Sequence, residues 1–348
     1  MLKSKKFILG ILSVAATIGM LSTSVSASVI SNRVEGSDRV KTSVEVANSG
    51  WTQSDYAVIA YAWDFPDAVS AAPLAYKYHA PILLTNKESL NSTISTELTN
   101  LKVKHVFIVG GVGVVSANVE SQISSKGIDI QRLSGSDRYQ TSIAIANQVG
   151  TTGSIIVTNG YSPYEALSIS PIAAKKGIPI ILTARKGVPD AIINYLKQNN
   201  ITQTYILGKA DGTSDSDGVA DTTIFPNPVR ITGANIYERN INIIKMFDGD
   251  LNYSKIYLAT GKAFADALAG SALAATTSSP LIFVDNKMPQ VTKDFISSKA
   301  ASVSSVVILG GTGAVSDNTE QQVETLLSNS QGSGTTTTSS AITLPTGN

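Results

Sequence analysis

The sequence predicts an α/β protein built from three tandem modules, each a mostly parallel β-sheet covered by helices. Three observations carry this. A set of four elements recurs three times in the same order, and the glycines of its first element, Gly36, Gly135 and Gly233, stand 99 and 98 positions apart. A period of that size is a small domain, because solenoid repeats run to roughly 20–50 residues. The apolar runs are short, continuous and bounded by turn residues, as in strands covered on both faces. They alternate with helical segments, the pattern of right-handed βαβ crossovers.

Each element follows from its residues. The repeats open with Arg33-Val-Glu-Gly36-Ser-Asp38-Arg39, with Arg132-Leu-Ser-Gly135-Ser-Asp137-Arg138 and, more loosely, with Arg230-Ile-Thr-Gly233-Ala-Asn235-Ile236. In the first repeat Ser37 or Asp38 caps a helix through Thr42 to Asn48. Tyr56 to Tyr61 is a buried strand. Pro66 and Asp67 suit the first turn of a helix, which is expected to run to Tyr76. Pro81 to Thr85 is a strand, echoed by Pro179 to Thr183 and Pro280 to Val284. Ser92 to Leu101 is helical. His105 to Val109 is a third strand that ends in Gly110-Gly111-Val112-Gly113. Ser116 caps a helix to Ile123, and Ile128 to Leu133 leads as a strand into the next repeat.

These elements set module boundaries at 28–128, 129–226 and 227–327. Outside them lie two segments of other character. Lys3, Lys5 and Lys6, the apolar run Phe7 to Met20 and the small residues Val25-Ser26-Ala27 form a secretory signal peptide, with cleavage expected after Ala27. The alternative is an uncleaved N-terminal helix. Residues 328–348 are rich in Ser, Thr and Gly and read as a flexible tail. Leu344-Pro345-Thr346-Gly347 is not a complete sorting motif, so the body of the chain is expected to hold the protein on a cell.

Composition excludes several classes. Of 27 basic residues three lie in the signal segment, which leaves 24 against 26 acidic ones. A near-neutral chain gives no support for bulk attraction to nucleic acid. No run after the signal is long enough to span a membrane. There is no cysteine, so an exported chain of this kind relies on core burial alone.

The Gly-Ser-Asp-Arg-x-x-Thr-Ser element resembles part of a known family. So do the helix Asp266-Ala-Leu-Ala-Gly-Ser-Ala-Leu-Ala274, the Pro-Ile-Leu-Leu-Thr strand and the Val-Ile-Leu-Gly-Gly turn. Together they resemble the clostridial type 2 cell-wall-binding repeat, over roughly Arg33 to Leu327. The resemblance implies three Toprim-like or Rossmann-like modules in a pseudo-threefold arrangement. It implies noncovalent attachment to the Gram-positive wall through an anionic, teichoic-acid-like polysaccharide, beside surface-layer proteins, with no cofactor. Departures touch the sites. Asn235-Ile236 replaces Asp-Arg in the third repeat, where Arg239-Asn240 also replaces Thr-Ser. Gly208-Lys209 and an acidic stretch to Asp221 replace the Gly-Gly turn in the second.

The candidate polymer-binding residues each have a second reading. Arg33, Arg132 and Arg230 recur where much else drifts, and a guanidinium grips phosphate bidentately. They fit equally a structural ion pair to Asp67, Glu165 and Asp266. Asp38 and Asp137 read as caps, and the adjacent Arg39 and Arg138 as exposed cations able to meet polymer. Gly110, Gly111 and Gly113, with Gly310, Gly311 and Gly313, follow strands and precede helices. There backbone N–H groups can cradle phosphate, or a tight turn can demand positive φ.

Catalysis finds little footing. Asp211, Asp215, Asp217 and Asp221 lack the order of a calcium loop. The two histidines, His79 and His105, occupy no shared repeat position, and Gly-x-Ser-x-Gly and His-Glu-x-x-His are absent. The expectation is therefore a wall anchor and not an enzyme. A wall-turnover enzyme and an architectural surface-layer component are the alternatives.

Overall fold

The computed structural model describes residues 30–209, 219 and 222–332. The segment read as a signal peptide, the acidic stretch Asp211 to Asp221 apart from Val219, and the chain beyond 332 lie outside the described residues.

The strands are β1 (Ile30–Val34), β2 (Tyr56–Tyr61), β3 (Ile82–Thr85), β4 (His105–Val109), β5 (Asp129–Leu133), β6 (Ser154–Asn159), β7 (Ile180–Thr183), β8 (Gln203–Leu207), β9 (Pro228–Ile231), β10 (Lys255–Thr260), β11 (Leu281–Val284) and β12 (Ser305–Leu309). They form three parallel four-stranded sheets, ordered β3-β2-β4-β5, β7-β6-β8-β9 and β11-β10-β12-β1. The first and second sheets are each completed by the strand that opens the next repeat in sequence. The first strand of the chain closes the third sheet, with Ile30 opposite Ser305 and Val34 opposite Leu309. The sheet boundary thus falls after Leu133 and after Ile231, a few residues beyond the repeat boundary read from the sequence.

Helices cover both faces of the sheets. The helices α1 (Arg39–Gly50), α5 (Arg138–Val149) and α8 (Ile236–Met246) open the modules. The helices α2 (Ala72–Lys77), α6 (Tyr164–Lys176) and α9 (Ala265–Thr276) follow the first strand of each, and each touches the other two. This mutual contact of equivalent helices is the pseudo-threefold centre. It is apolar and built of small residues, Ala71, Ala72, Ala75, Ala166, Ala173, Ala267, Ala272 and Ala274 among them, all buried. Small side chains let helices approach closely, and at about 25 cal/mol per Å² the buried apolar area drives the association. The outer helices are α3 (Ser92–Asn100), α4 (Ala117–Ser124), α7 (Asp190–Gln198), α10 (Gln290–Lys299) and α11 (Asp317–Gly332).

Two expectations are corrected. Pro66 to Ser70 forms turns, and α2 begins only at Ala72, with Pro73 in its first turn where a missing N–H costs nothing. The last helix continues past Leu327 to Gly332, into the segment read as tail.

Candidate functional site

Within each module the strand order places the first strand of the sheet beside both the second and the third. The chain therefore departs in opposite directions from neighbouring strands, which leaves a crevice at their carboxyl ends. In the first module that crevice is a cavity of about 400 Å³. Its walls are Tyr61, Asp64 and Asp67 after β2, Gly111 to Val114 after β4, and Gly135 to Arg138 from the start of the second module. The site is thus shared across a module boundary. Trp63, beside it, is 50% exposed and packs its ring 6.1 Å from Tyr61.

The opening motif builds this region, residue by residue. Asp38 accepts from the Lys41 N–H, Asp137 from the Gln140 N–H, and Asn235 from the N–H groups of Tyr237 and Glu238, so all three are helix caps. Gly36 is required by close approach, since a Cβ there would lie 2.4 Å from the Lys41 backbone. The Gly36 N–H donates to Thr42 and the Gly135 N–H to Thr141. Ser43 and Ser142 accept from the buried N–H groups of Leu84 and Leu182 at 3.0 Å, pinning α1 and α5 to the Pro-Ile-Leu-Leu-Thr strands. In the third repeat Asn240 does the same for Phe283 at 3.0 Å. The Thr-Ser of the motif is structural, and Asn can replace its serine.

Arg33, Arg132 and Arg230 are committed within the fold. Arg33 donates to the carbonyls of Gly310 and Val315 and meets Glu320 at 2.6 Å. Arg132 donates to the Gly110 carbonyl and meets Glu120 at 2.6 Å. Arg230 donates to the carbonyls of Gly208, Lys209 and Val219, and burial lowers its pKa. The expected partners Asp67, Glu165 and Asp266 are not the ones used. Each arginine instead holds the turn after the preceding module's third strand. The turn glycines Gly110, Gly208 and Gly310 have φ of 102°, 107° and 94°, which a side chain rarely adopts. That mutual dependence explains why this arginine and this glycine recur together.

The acidic residues pair with a different cation. Arg138 acts on the Asp67 carboxyl and Arg39 on that of Asp266 through charge, and Glu165 bonds Arg239 at 2.9 Å. Each pair crosses a module boundary. Burial raises the Asp67 carboxyl, with the Thr141 hydroxyl and Arg138 drawing it back, and burial raises Asp266 against the pull of Arg39. Burial likewise pushes Glu165 up, against Arg239 and the Ser162 hydroxyl. Ile236 stands where an arginine is missing from the third repeat, yet Arg239 reaches the same partner from one helical turn further on. Sequence reading missed this. The signal was present in the replacement of Thr-Ser by Arg239-Asn240.

Of the other expected site residues, Arg39 donates to the Ala62 carbonyl and stacks on Trp63 and Phe264 at 5.5 and 5.8 Å. Arg138 donates to the Gly160 carbonyl and lies 5.1 Å over Tyr161. Both are half-buried, and Arg138 lines the first crevice. Gly111 and Gly113 line the first cavity and have open space where a side chain would be. Gly313 is equally open, whereas Gly311 faces the Glu35 carboxylate and Gly310, like Gly110, serves the turn. Trp63 and Tyr161, 50% and 45% exposed at equivalent positions, were not singled out from the sequence.

The model of the cell wall binding domain 2 family matches this chain three times, at residues 33–120, 132–216 and 230–320. The chain belongs to that family. It is 35% identical over 296 residues to N-acetylmuramoyl-L-alanine amidase LytC, and 30% identical over 297 residues to the amidase enhancer, both of Bacillus subtilis (strain 168). Each match covers 84% of this chain, but it spans 58% and 40% of those relatives' own lengths. Among solved structures, Cwp6 and Cwp8 from Clostridium difficile superpose with a TM-score of 0.76 at 28% and 26% identity. Each covers 85% of this chain, which spans 48% and 51% of theirs. The three matched segments begin at or beside the arginines of the three opening motifs, Arg33, Arg132 and Arg230. Among the described residues no helix is long and apolar enough to cross a membrane.

Proposed function

We propose that this protein is a noncovalent wall anchor. Three modules on one rigid body hold an anionic, teichoic-acid-like polymer of the Gram-positive wall through the crevices at their boundaries. The observation that carries this is one cell-wall-binding fold repeated three times, with its sheet crevice opening at a module boundary. Contacts that are weak singly gain steeply in avidity when presented together. Arg39 and Arg138, at the crevice edges, are the contact cations. Arg33, Arg132 and Arg230 are outside this assignment, because their donors hold the fold. The role is binding and not catalysis, and the protein is exported to the wall surface alongside surface-layer proteins. The amidase activity named for one relative belongs to that longer protein.

A wall pull-down tests the reading. The protein would be sedimented with purified Gram-positive walls, native or stripped of phosphate-linked polymer. Retention by native walls alone, weakened by salt, is the expected result. Equal retention by both would move the ligand to peptidoglycan. No retention by either would favour contacts with other surface-layer proteins.

A further inference from the structure

Tyr161, at the end of β6, carries two cations. Arg138 lies over its ring at 5.1 Å and Arg185 at 4.6 Å, so the two guanidinium carbons are no further apart than the sum of those distances. Arg138 has compensation, because it donates to the Gly160 carbonyl and lies beside Asp67. Arg185 does not. Among the described residues it meets no carboxylate, and its Nε is buried without a hydrogen-bond partner. A guanidinium prefers to spend its forked donors on an oxyanion, and two like charges on one ring repel. An anion bound at this pair of cations relieves the repulsion. Tyr161 is 45% exposed, so the place is open to solvent.

The arrangement is confined to the second module. At the position of Arg185 the first repeat has Lys87, 3.6 Å from Glu88, and the third has Asn286. At the position of Tyr161 the third repeat has Lys262, bonded to Asp285 at 2.7 Å, while Trp63 in the first carries one guanidinium at 5.5 Å.

We infer that Arg185, with Arg138 and the Tyr161 ring, forms an oxyanion subsite that takes a phosphate group, and that the second module supplies the chain's principal phosphate contact. The inference rests on the wall-anchor reading for the source of that phosphate, a diester in the wall polymer, and on the geometry alone for its chemistry. Bound phosphate would accept from the terminal nitrogens of Arg185 and Arg138, with Tyr161 fixing both planes by stacking.

The experiment uses the full chain as wild type, Arg185→Gln, Arg185→Lys and Lys186→Gln. Lys186 is the exposed neighbour, and its change removes the same charge from the same loop. Two readouts are taken. One is sedimentation with native and polymer-stripped walls across a salt series. The other is the shift in thermal midpoint produced by inorganic phosphate. Arg185→Gln should weaken binding to native walls about tenfold, the effect of losing one charge-assisted contact, and abolish the phosphate-induced shift. Lys186→Gln should stay within about twofold of wild type. Arg185→Lys should be intermediate, keeping the charge without the fork. Equal effects of Arg185→Gln and Lys186→Gln would overturn the subsite and leave only general attraction. Wild-type behaviour of Arg185→Gln in both readouts would overturn it while the wall reading stands. If wild type fails to sediment with walls but shows an Arg185-dependent phosphate shift, the wall reading fails and the oxyanion site survives.

Discussion

Glu165 and Arg239 tie the second module to the third, and both are almost fully buried, at 1% and 2% exposure. Removing one partner leaves a charge in a low-dielectric interior. Glu165→Ala would take from the buried Arg239 guanidinium the carboxylate it bonds at 2.9 Å. The expected loss is about 3–5 kcal/mol of unfolding free energy. The pair itself is a different matter. Burial raises the Glu165 carboxyl in spite of the adjoining guanidinium, so desolvation outweighs the attraction. Replacing both by methionine, which fills a similar volume, should therefore leave stability within about 1–2 kcal/mol of wild type or above it. Urea unfolding followed by circular dichroism, with the slope checked for constancy, measures all three. The reasoning is refuted if Glu165→Ala costs less than about 1 kcal/mol, or if the double replacement is as damaged as the single one.

Further expectations rest on other contacts. Ser43→Ala and Ser142→Ala each leave a buried strand N–H without an acceptor and should cost about 1–3 kcal/mol in chemical denaturation, with faster hydrogen exchange at Leu84 or Leu182. A chain beginning at Glu35 lacks β1, so the amide of Gly310, which donates to the Val34 carbonyl, should lose exchange protection while the first two sheets keep theirs. Burial pushes the Glu320 carboxyl up, but the Ser31 hydroxyl and Arg33 more than offset it, and it titrates below its ordinary 4.5. A lowered native pKa stabilises above the unfolded value and is lost as pH falls through the native one. Glu320→Gln should thus be less stable than wild type at pH 7, with the gap closing at pH below about 4. Asp266 has the opposite sign: burial raises it above 3.8, so its favourable contribution is complete in acid and is lost as pH rises through the native value. Asp266→Asn should gain on wild type between pH 3 and pH 7 in thermal midpoint, and a constant difference would sink that assignment.

Much of the fold was legible in residue order. The strands Tyr56–Tyr61 and His105–Val109 have the bounds their apolar runs announce, and Asp38, Asp137 and Ser116 cap the helices they precede. These are local signals, each complete within a few residues. The candidate site was legible only in part. The glycine turns and the half-buried Arg39 and Arg138 were in view, but Arg33, Arg132 and Arg230 looked like binding residues because recurrence alone does not say whether a guanidinium serves the fold or a ligand. The partners that decide it, Glu320, Glu120 and the turn carbonyls, lie 12 to 287 positions away in sequence.

By itself the sequence determined the threefold repeat and the order of its strands and helices, with the bounds of many of them, because hydrophobic periodicity, caps and turn residues act over one or two turns of chain. Only the tertiary structure decided that β1 closes the third sheet and that Glu165 meets Arg239 of the next module. It also placed Arg239 where Ile236 had removed a cation, and brought Arg185 and Arg138 to one ring. Those outcomes depend on distances between segments that are remote in sequence, where a helical turn of displacement can restore a contact that a register comparison counts as lost.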